Sequence, residues 1–351
     1  MDLGTLAGQV RQVTGLAASM RDMERILAAL LASEDIWRIV ELAGVPLLVV
    51  CAGLHCLAEA GWVETTGSAV RLTQDGEEGC ARLRIAPARA LACPRCGGRG
   101  VELGLLRELE AEFHRLVAGR PEASQEFDQG YVTEETTIAR VAAMWAKGDL
   151  EGKDLLILGD DDLVSLAAAL SGLPRRVAVL DADTRITSFI TAAADRAGLS
   201  VAVHEHDLRR PLPSALRSRF DTFLCDPTES LQGFLLFAGR GLSALRGPGG
   251  AGYLGLTHAE ASLAKWRAIQ RQLLEWGTVI TDLHDRFHSY VNWPYVEMMR
   301  AWERLPVRRA PGRLEPWYRS ALLRIELVAE AEVELGPVAG DIFIDHEAAT
   351  I

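Results

Sequence analysis

Cysteine is scarce in this chain of 351 residues: there are six, at positions 51, 56, 80, 93, 96 and 225. Their spacing builds no disulfide framework, so a reducing compartment, the cytoplasm, is expected. Basic residues are outnumbered, 37 Lys and Arg against 48 Asp and Glu, for a formal net charge of −11. A protein that holds nucleic-acid phosphates would show the opposite balance, so no nucleic-acid partner is expected. No uninterrupted apolar run reaches the roughly 18 residues of a membrane span, and no basic-then-apolar leader opens the chain. No membrane partner is expected either. What remains is a chain with 49% hydrophobic residues, enough for two domains and one sizeable core.

The most telling shortage is of glycine at one turn. Asp154 to Ser165 reads as a strand buried on both faces (Leu155–Leu158), a turn at Gly159, and the start of a helix. That is the first unit of a nucleotide-binding α/β sheet, whose ligands sit at the carboxyl ends of strands. A dinucleotide fold would carry further glycines there to let backbone approach a pyrophosphate. Asp160, Asp161 and Asp162 occupy those places instead. One of them, Asp162 by position, is expected to cap the following helix. Three adjacent carboxylates exceed what capping needs and repel one another without a counter-charge. A cationic ligand is therefore expected.

Helical periodicity from 18 to 60 and a polar hairpin at Trp62–Thr73 predict a small winged-helix-like domain over residues 1–120. Its third helix, starting at Leu47, has no arginine or lysine to meet phosphate, so packing or dimerisation is expected of it rather than duplex reading. Cys93-Pro-Arg-Cys96 is half of a zinc knuckle; His114, Cys80 or a second subunit's pair would have to complete it. A plain turn with two thiols is the default, and no metal is required for the activity.

Residues 121–351 alternate strand and helix, which predicts a seven-stranded, Rossmann-like sheet of the class I methyltransferase type. The polar, aromatic Phe127–Thr137 segment lies just ahead of the first strand and is expected to fold over a nucleotide, with Gln129 and Thr133 as contacts. The second strand ends at Asp181, 22 residues past Gly159, where such folds bind ribose hydroxyls. Asp207 ends the third, where an adenine amino group finds an acceptor. Asp226-Pro ends the fourth, so its carboxylate is expected beside Asp160 and Asp161, with Glu229 in the same loop. Strands are also expected at Ser320–Val328 and Asp341–Ile344. The aromatic stretch Phe287–Tyr295, with Trp293 and Tyr295, suits the wall of an alkylamine pocket.

This order of acids suits an adenosyl-sulfonium donor that lacks the usual carboxylate: decarboxylated S-adenosylmethionine, whose tail ends in an ammonium. With these motifs, the chain resembles the branched-chain polyamine synthases, the N(4)-bis(aminopropyl)spermidine synthases, over nearly its whole length. The carriers are the Cys-Pro-Arg-Cys element, Phe127-Asp-Gln-Gly-Tyr131, Gly159-Asp-Asp-Asp162 and Asp226-Pro. Thr228 stands where many relatives have a second proline. The resemblance implies sequential aminopropyl transfers to the secondary amine of spermidine, a homodimer, and a catalytic role for Asp160, Asp161 and Asp162. On chemistry, Asp161 is the first candidate to accept the amine's proton and Asp226 the second. Asp160, Asp226, Glu229, Trp293 and Tyr295 are the expected substrate contacts; Gly159, Asp162, Asp181, Asp207, Gln129 and Thr133 are the expected donor contacts. The alternatives are an S-adenosylmethionine-dependent methyltransferase on an amine or nucleobase, a polyamine-sensing regulator that binds DNA, and a divalent-metal site at the three aspartates.

Overall fold

The computed structural model describes residues 2–331, 333 and 336–351. Its N-terminal part opens on a helix the periodicity reading passed over: α1, Leu3–Thr14, capped by Asp2. Leu3, Leu6, Ala7 and Val10 are its buried face, the spacing of an amphipathic helix. α2 (Met20–Leu30) starts at a reciprocal cap between Ser19 and Asp22, and α3 (Ile36–Ala43) starts at Asp35. α4 (Leu47–Glu59) is buried along nearly its whole length, so the helix that would face a duplex in a winged helix is core here. The hairpin β1 (Val63–Thr66) and β2 (Ala69–Leu72) and the helix α5 (Gln74–Leu83) complete this part.

Residues 101–118 form a 3-10 turn at Gly104–Leu109 and a short α6, Glu110–Leu116. Leu103, Leu106, Phe113 and Leu116 pack with α7 (Glu134–Ala146) under the large sheet. This segment therefore joins the sheet's core rather than that of the N-terminal helices.

The sheet strands follow, with their helices: β3 (Asp154–Leu158), α8 (Val164–Leu170), β4 (Arg176–Asp181), α9 (Thr184–Ala197), β5 (Val201–Glu205) and β6 (Thr222–Cys225). Then come α10 (Leu231–Ala244), β7 (Ala251–Thr257), α11 (Leu263–Glu275), β8 (Thr278–Ser289) and β9 (Arg319–Leu327). The seven-stranded order is β5-β4-β3-β6-β7-β9-β8, parallel from β5 to β7, with β9 antiparallel to both of its neighbours. Alternation along each strand divides the interior. Leu155, Ile157, Val177 and Val179 pack on the face of α7, α8 and α9, whereas Leu156, Leu158, Ala178 and Leu180 pack on the face of α10 and α11. Each fully buried leucine contributes about 2 kcal/mol.

The winding reverses at β3, whose neighbours are β4 on one side and β6 on the other. That reversal opens a crevice at the strands' carboxyl ends. The expected strand at Asp341–Ile344 does not form. Ser230 Oγ donates to the Ile342 carbonyl, and the Leu231 amide donates to Asp345, so side chains and caps take the bonds a neighbouring strand would have supplied. No single helix among the described residues is long and apolar enough to cross a membrane.

Candidate active site

A cavity of about 330 Å³ fills the crevice at the carboxyl ends of β3, β4 and β6. Among the described residues eight carboxylates line it (Glu126, Asp128, Asp161, Asp162, Asp181, Asp207, Asp226 and Glu229) against one arginine, Arg209. Such a lining favours a cation and opposes a carboxylate-bearing ligand.

The turn that follows β3 decides which aspartate does what. Gly159 ends the strand at φ 70°, and buried Leu163 takes a left-handed φ of 57° immediately before α8. That twist turns Asp162 away from the helix start, and the cap comes from Asp160. Its two oxygens accept the amides of Val164 (2.7 Å) and Ser165 (3.2 Å). Asp160 is fully buried and does not line the cavity. This corrects two expectations: Asp160 does not face the cavity, and Asp162 is not the cap. Burial pushes the Asp160 carboxyl up to about 8, against the opposing bonds from Ser165 and Val164.

Asp162 instead holds the outer wall. One oxygen accepts the Val132 amide at 2.7 Å, which pins the segment after Phe127 over the cavity, and the other pairs with Arg140. The guanidinium of Arg140, buried on α7, spans to Asp226 as well, so one cation clamps the ends of β3 and β6 together. Burial opposes that charge, and Asp162 and then Asp226 more than restore it, raising the arginine's proton affinity. Asp226 also accepts the Tyr290 hydroxyl at 2.7 Å. Burial raises Asp226 above the usual carboxylate range, while Arg140 opposes the rise. Gly255 on β7 makes room for this acid: a Cβ there would lie 1.8 Å from its Oδ1.

Asp161 is the contrast. It lines the cavity, is half-buried, and has no hydrogen-bond partner among the described residues. Burial, and next the charge of Asp162, push its carboxyl well above the usual range. It is an acid with a free lone pair and a raised proton affinity, facing open space.

Around it, Asp181 accepts the amides of Asp160 and Asp183, both at 2.8 Å, which leaves its remaining lone pairs toward the cavity. Gln129 lines the cavity, but its side chain is engaged by Asp183 (2.9 Å), the Ser124 amide and Arg185. Asp207 lies two residues past β5; burial opposes its ionisation, but Arg209 holds its carboxyl below the ordinary range. Tyr295 donates to the Gln129 carbonyl, and Trp293 packs edge-on to Tyr318 at 5.3 Å. Thr133 is corrected: it caps α7 through the Thr136 amide and does not line the cavity.

At the far end, Tyr318 lies within hydrogen-bond distance of both Glu229 (2.8 Å) and Glu260 (2.9 Å), and Asp128 accepts the Thr228 hydroxyl at 2.8 Å. Burial, then Glu260, pushes both Glu229 and Asp128 well above their ordinary range. Arg140, Asp128 and Tyr318 were not picked out from sequence. Arg140 had a signal, a lone charge inside the apolar run Ile138–Met144. Asp128 had none beyond its place in the Phe127 segment.

Cys93 and Cys96 lie on the surface outside this cavity. Cys80 is buried in the N-terminal core and His114 faces Glu134 at 3.0 Å. Among the described residues no three His, Cys, Asp or Glu side chains gather as a metal ion would require.

The fold and the acid-lined cleft together define a Rossmann-like α/β transferase whose cleft favours a cation. The family whose signature is the branched-chain polyamine synthase A C-terminal domain matches residues 108–350, and the chain belongs to it. An N(4)-bis(aminopropyl)spermidine synthase of Thermus thermophilus is 51% identical over 98% of this chain and 97% of its own. The enzyme of that name from Thermococcus kodakarensis is 44% identical over 97% and 98%. The crystal structure of the Thermus thermophilus branched-chain polyamine synthase, in complex with N4-aminopropylspermidine and 5'-methylthioadenosine, superposes with a TM-score of 0.93. It is 49% identical, covering 99% of this chain and 98% of that one.

Proposed function

We propose that this protein transfers aminopropyl groups from decarboxylated S-adenosylmethionine to the secondary amine of spermidine, releasing 5'-methylthioadenosine. The branched tertiary amine formed first can accept a second group, giving a quaternary nitrogen. The observation that carries the reading is Asp161: a carboxylate of raised proton affinity, without a hydrogen-bond partner among the described residues, in a cavity where Asp162, Asp181 and Asp226 are fixed by hydrogen bonds and ion pairs.

The spermidine nitrogen attacks the propyl carbon bonded to sulfur. The C–S bond breaks toward sulfur, whose positive charge is thereby neutralised. In the first transfer the new tertiary nitrogen can release a proton, whereas in the second the tertiary amine must have lost its proton before it attacks and the quaternary nitrogen keeps the charge. Spermidine nitrogens are mostly protonated at neutral pH, so a base must hold the reactive one neutral or take its proton. Asp161 serves as that base. Asp226, fixed by Arg140 and Tyr290, keeps a negative charge beside the positive charge that moves from sulfur to nitrogen. Asp181 and Asp207 receive the nucleoside hydroxyls and amino group, and Trp293 and Tyr295 wall the polymethylene chain. Asp128 and Glu229 hold its distant ammonium.

A carboxylated donor would bring its own anion against these acids, which disfavours methyl transfer from S-adenosylmethionine. Calorimetry with both donors, followed by mass spectrometry of products from spermidine, tests the reading. Tighter binding of the decarboxylated donor and a mass gain of one or two aminopropyl groups are expected. Methylated products, or preference for the carboxylated donor, would overturn it.

A further inference from the structure

Behind Asp226 a chain of side chains runs into the core. Its carboxylate accepts from Tyr290 Oη at 2.7 Å; Tyr290 Oη is 2.8 Å from Ser320 Oγ, and Ser320 Oγ is 2.5 Å from Nδ1 of His288. His288 is the penultimate residue of β8 and Ser320 the second of β9, paired directly across the two strands. Both are buried, His288 completely. Its Nε2 is buried without a partner among the described residues.

Proton counting gives the chain one direction. Asp226, paired with Arg140, accepts only, so Tyr290 must give it the hydroxyl proton. The Tyr290 oxygen then accepts from Ser320, and Ser320 in turn accepts from His288 Nδ1–H. That leaves the lone pair of Nε2 as the unpartnered atom, in agreement with its isolation. Burial, then the charges of Arg140 and Arg99, hold the imidazole well below its usual range and so neutral.

We propose that His288 and Ser320 are positioning residues for aminopropyl transfer, orienting and polarising the Tyr290 hydroxyl so that Asp226 stays ionised and fixed beside Asp161. The inference rests on the function given above and assigns it a second layer. Hydrogen-bond chains of one polarity strengthen each member, and the strengthened end here is a carboxylate in a poorly solvated place. The other groups that set its charge are Arg140 from α7, Asp161 and Asp162 from the turn after β3, Cys225 at the end of β6 and Glu229 on its own loop.

The test is a double-substitution cycle on the full chain, with release of methylthioadenosine measured across pH and melting followed in parallel. Ser320→Ala is expected to lower kcat by about threefold to tenfold with little change in KM. It also moves the acid limb of kcat against pH upward, because a carboxylate that loses donors protonates more readily. In a Tyr290→Phe background Ser320→Ala should do nothing more. His288→Asn, whose amide N–H can replace Nδ1–H, should keep most of the activity that His288→Leu loses. An equal loss from Ser320→Ala in both backgrounds, with an unshifted pH profile, would overturn the proposal. So would nitrogen NMR of the wild-type protein showing His288 protonated at Nε2, a readout independent of variant folding. Wild-type protein that makes no methylthioadenosine from spermidine would sink the functional reading, while the NMR result would still judge the chain.

Discussion

Asp160 and Asp161 are consecutive in the chain and face opposite environments. Asp160 turns inward, accepts the first amides of α8 with both oxygens and sees no solvent, whereas Asp161 opens into the cavity and has no hydrogen-bond partner among the described residues. Two carboxylates one peptide apart thus divide into a helix cap and a cavity-facing acid.

Substitution should separate them. Asp161→Asn is expected to lower kcat by about 10²- to 10⁴-fold, the range for loss of a general base, while leaving the melting temperature nearly unchanged. Asp160→Asn is expected to lower stability by about 1–2 kcal/mol through loss of the cap. Methylthioadenosine release and thermal melting of the two variants check this; a stable, inactive Asp160→Asn together with an active Asp161→Asn would reverse the assignment.

Stability should carry a trace of Asp160. Its carboxyl is raised to about 8 in the fold from an ordinary 3.8. Between those values the folded chain holds a proton that the unfolded chain releases, so this residue's contribution is full below about pH 4 and is lost as pH rises through about 8. Chemical denaturation of wild type and Asp160→Asn across that window should show the wild type losing ground as pH rises. A difference that stays flat with pH would contradict it.

Activity should rise with pH through the ionisation of Asp161, since its raised carboxyl must lose its proton before it can act. A bound sulfonium favours that ionisation and shifts it to lower pH, so the acid limb of kcat should lie at lower pH than the limb of kcat/KM. Initial rates between about pH 5 and pH 9 measure both limbs. Coincident limbs would show that the donor's charge does not reach Asp161.

Removing the clamp is predicted to be severe. Arg140→Met leaves Asp162 and Asp226 buried and facing one another, and loss of one partner from a buried ion pair costs about 3–5 kcal/mol. The deficit should shrink on acidification, as protonation of either acid relieves the repulsion. Denaturant melts at two pH values would show it.

Gly255→Ala should abolish turnover more than folding. The added methyl would stand 1.8 Å from Asp226 Oδ1, so the acid must leave its place between Arg140 and Tyr290. Near wild-type kcat in this variant would mean that the position of Asp226 is unimportant.

The strand–turn–helix alternation, the crevice at the end of β3 and the acidity of its turn were determined by sequence alone. They are local matters: an apolar run of Leu155–Leu158, glycine at the break, and three carboxylates that charge repulsion makes conspicuous. The same reading put Asp181, Asp226 and Asp207 at strand ends; Asp181 ends β4, Asp226 directly follows β6, and Asp207 lies two residues past β5. It missed α1, whose apolar spacing was present, and it supplied an extra strand at Asp341–Ile344. Only the tertiary structure decided which aspartate faces the ligand, since that depends on the backbone turning left-handed at Leu163, a residue whose side chain gives no hint of it. Arg140, Tyr290 and His288 likewise became legible only when α7 and β8 were laid against the ends of β3 and β6. A buried charge or hydroxyl has meaning through the partner it meets, and these partners lie from 22 to 86 residues away along the chain.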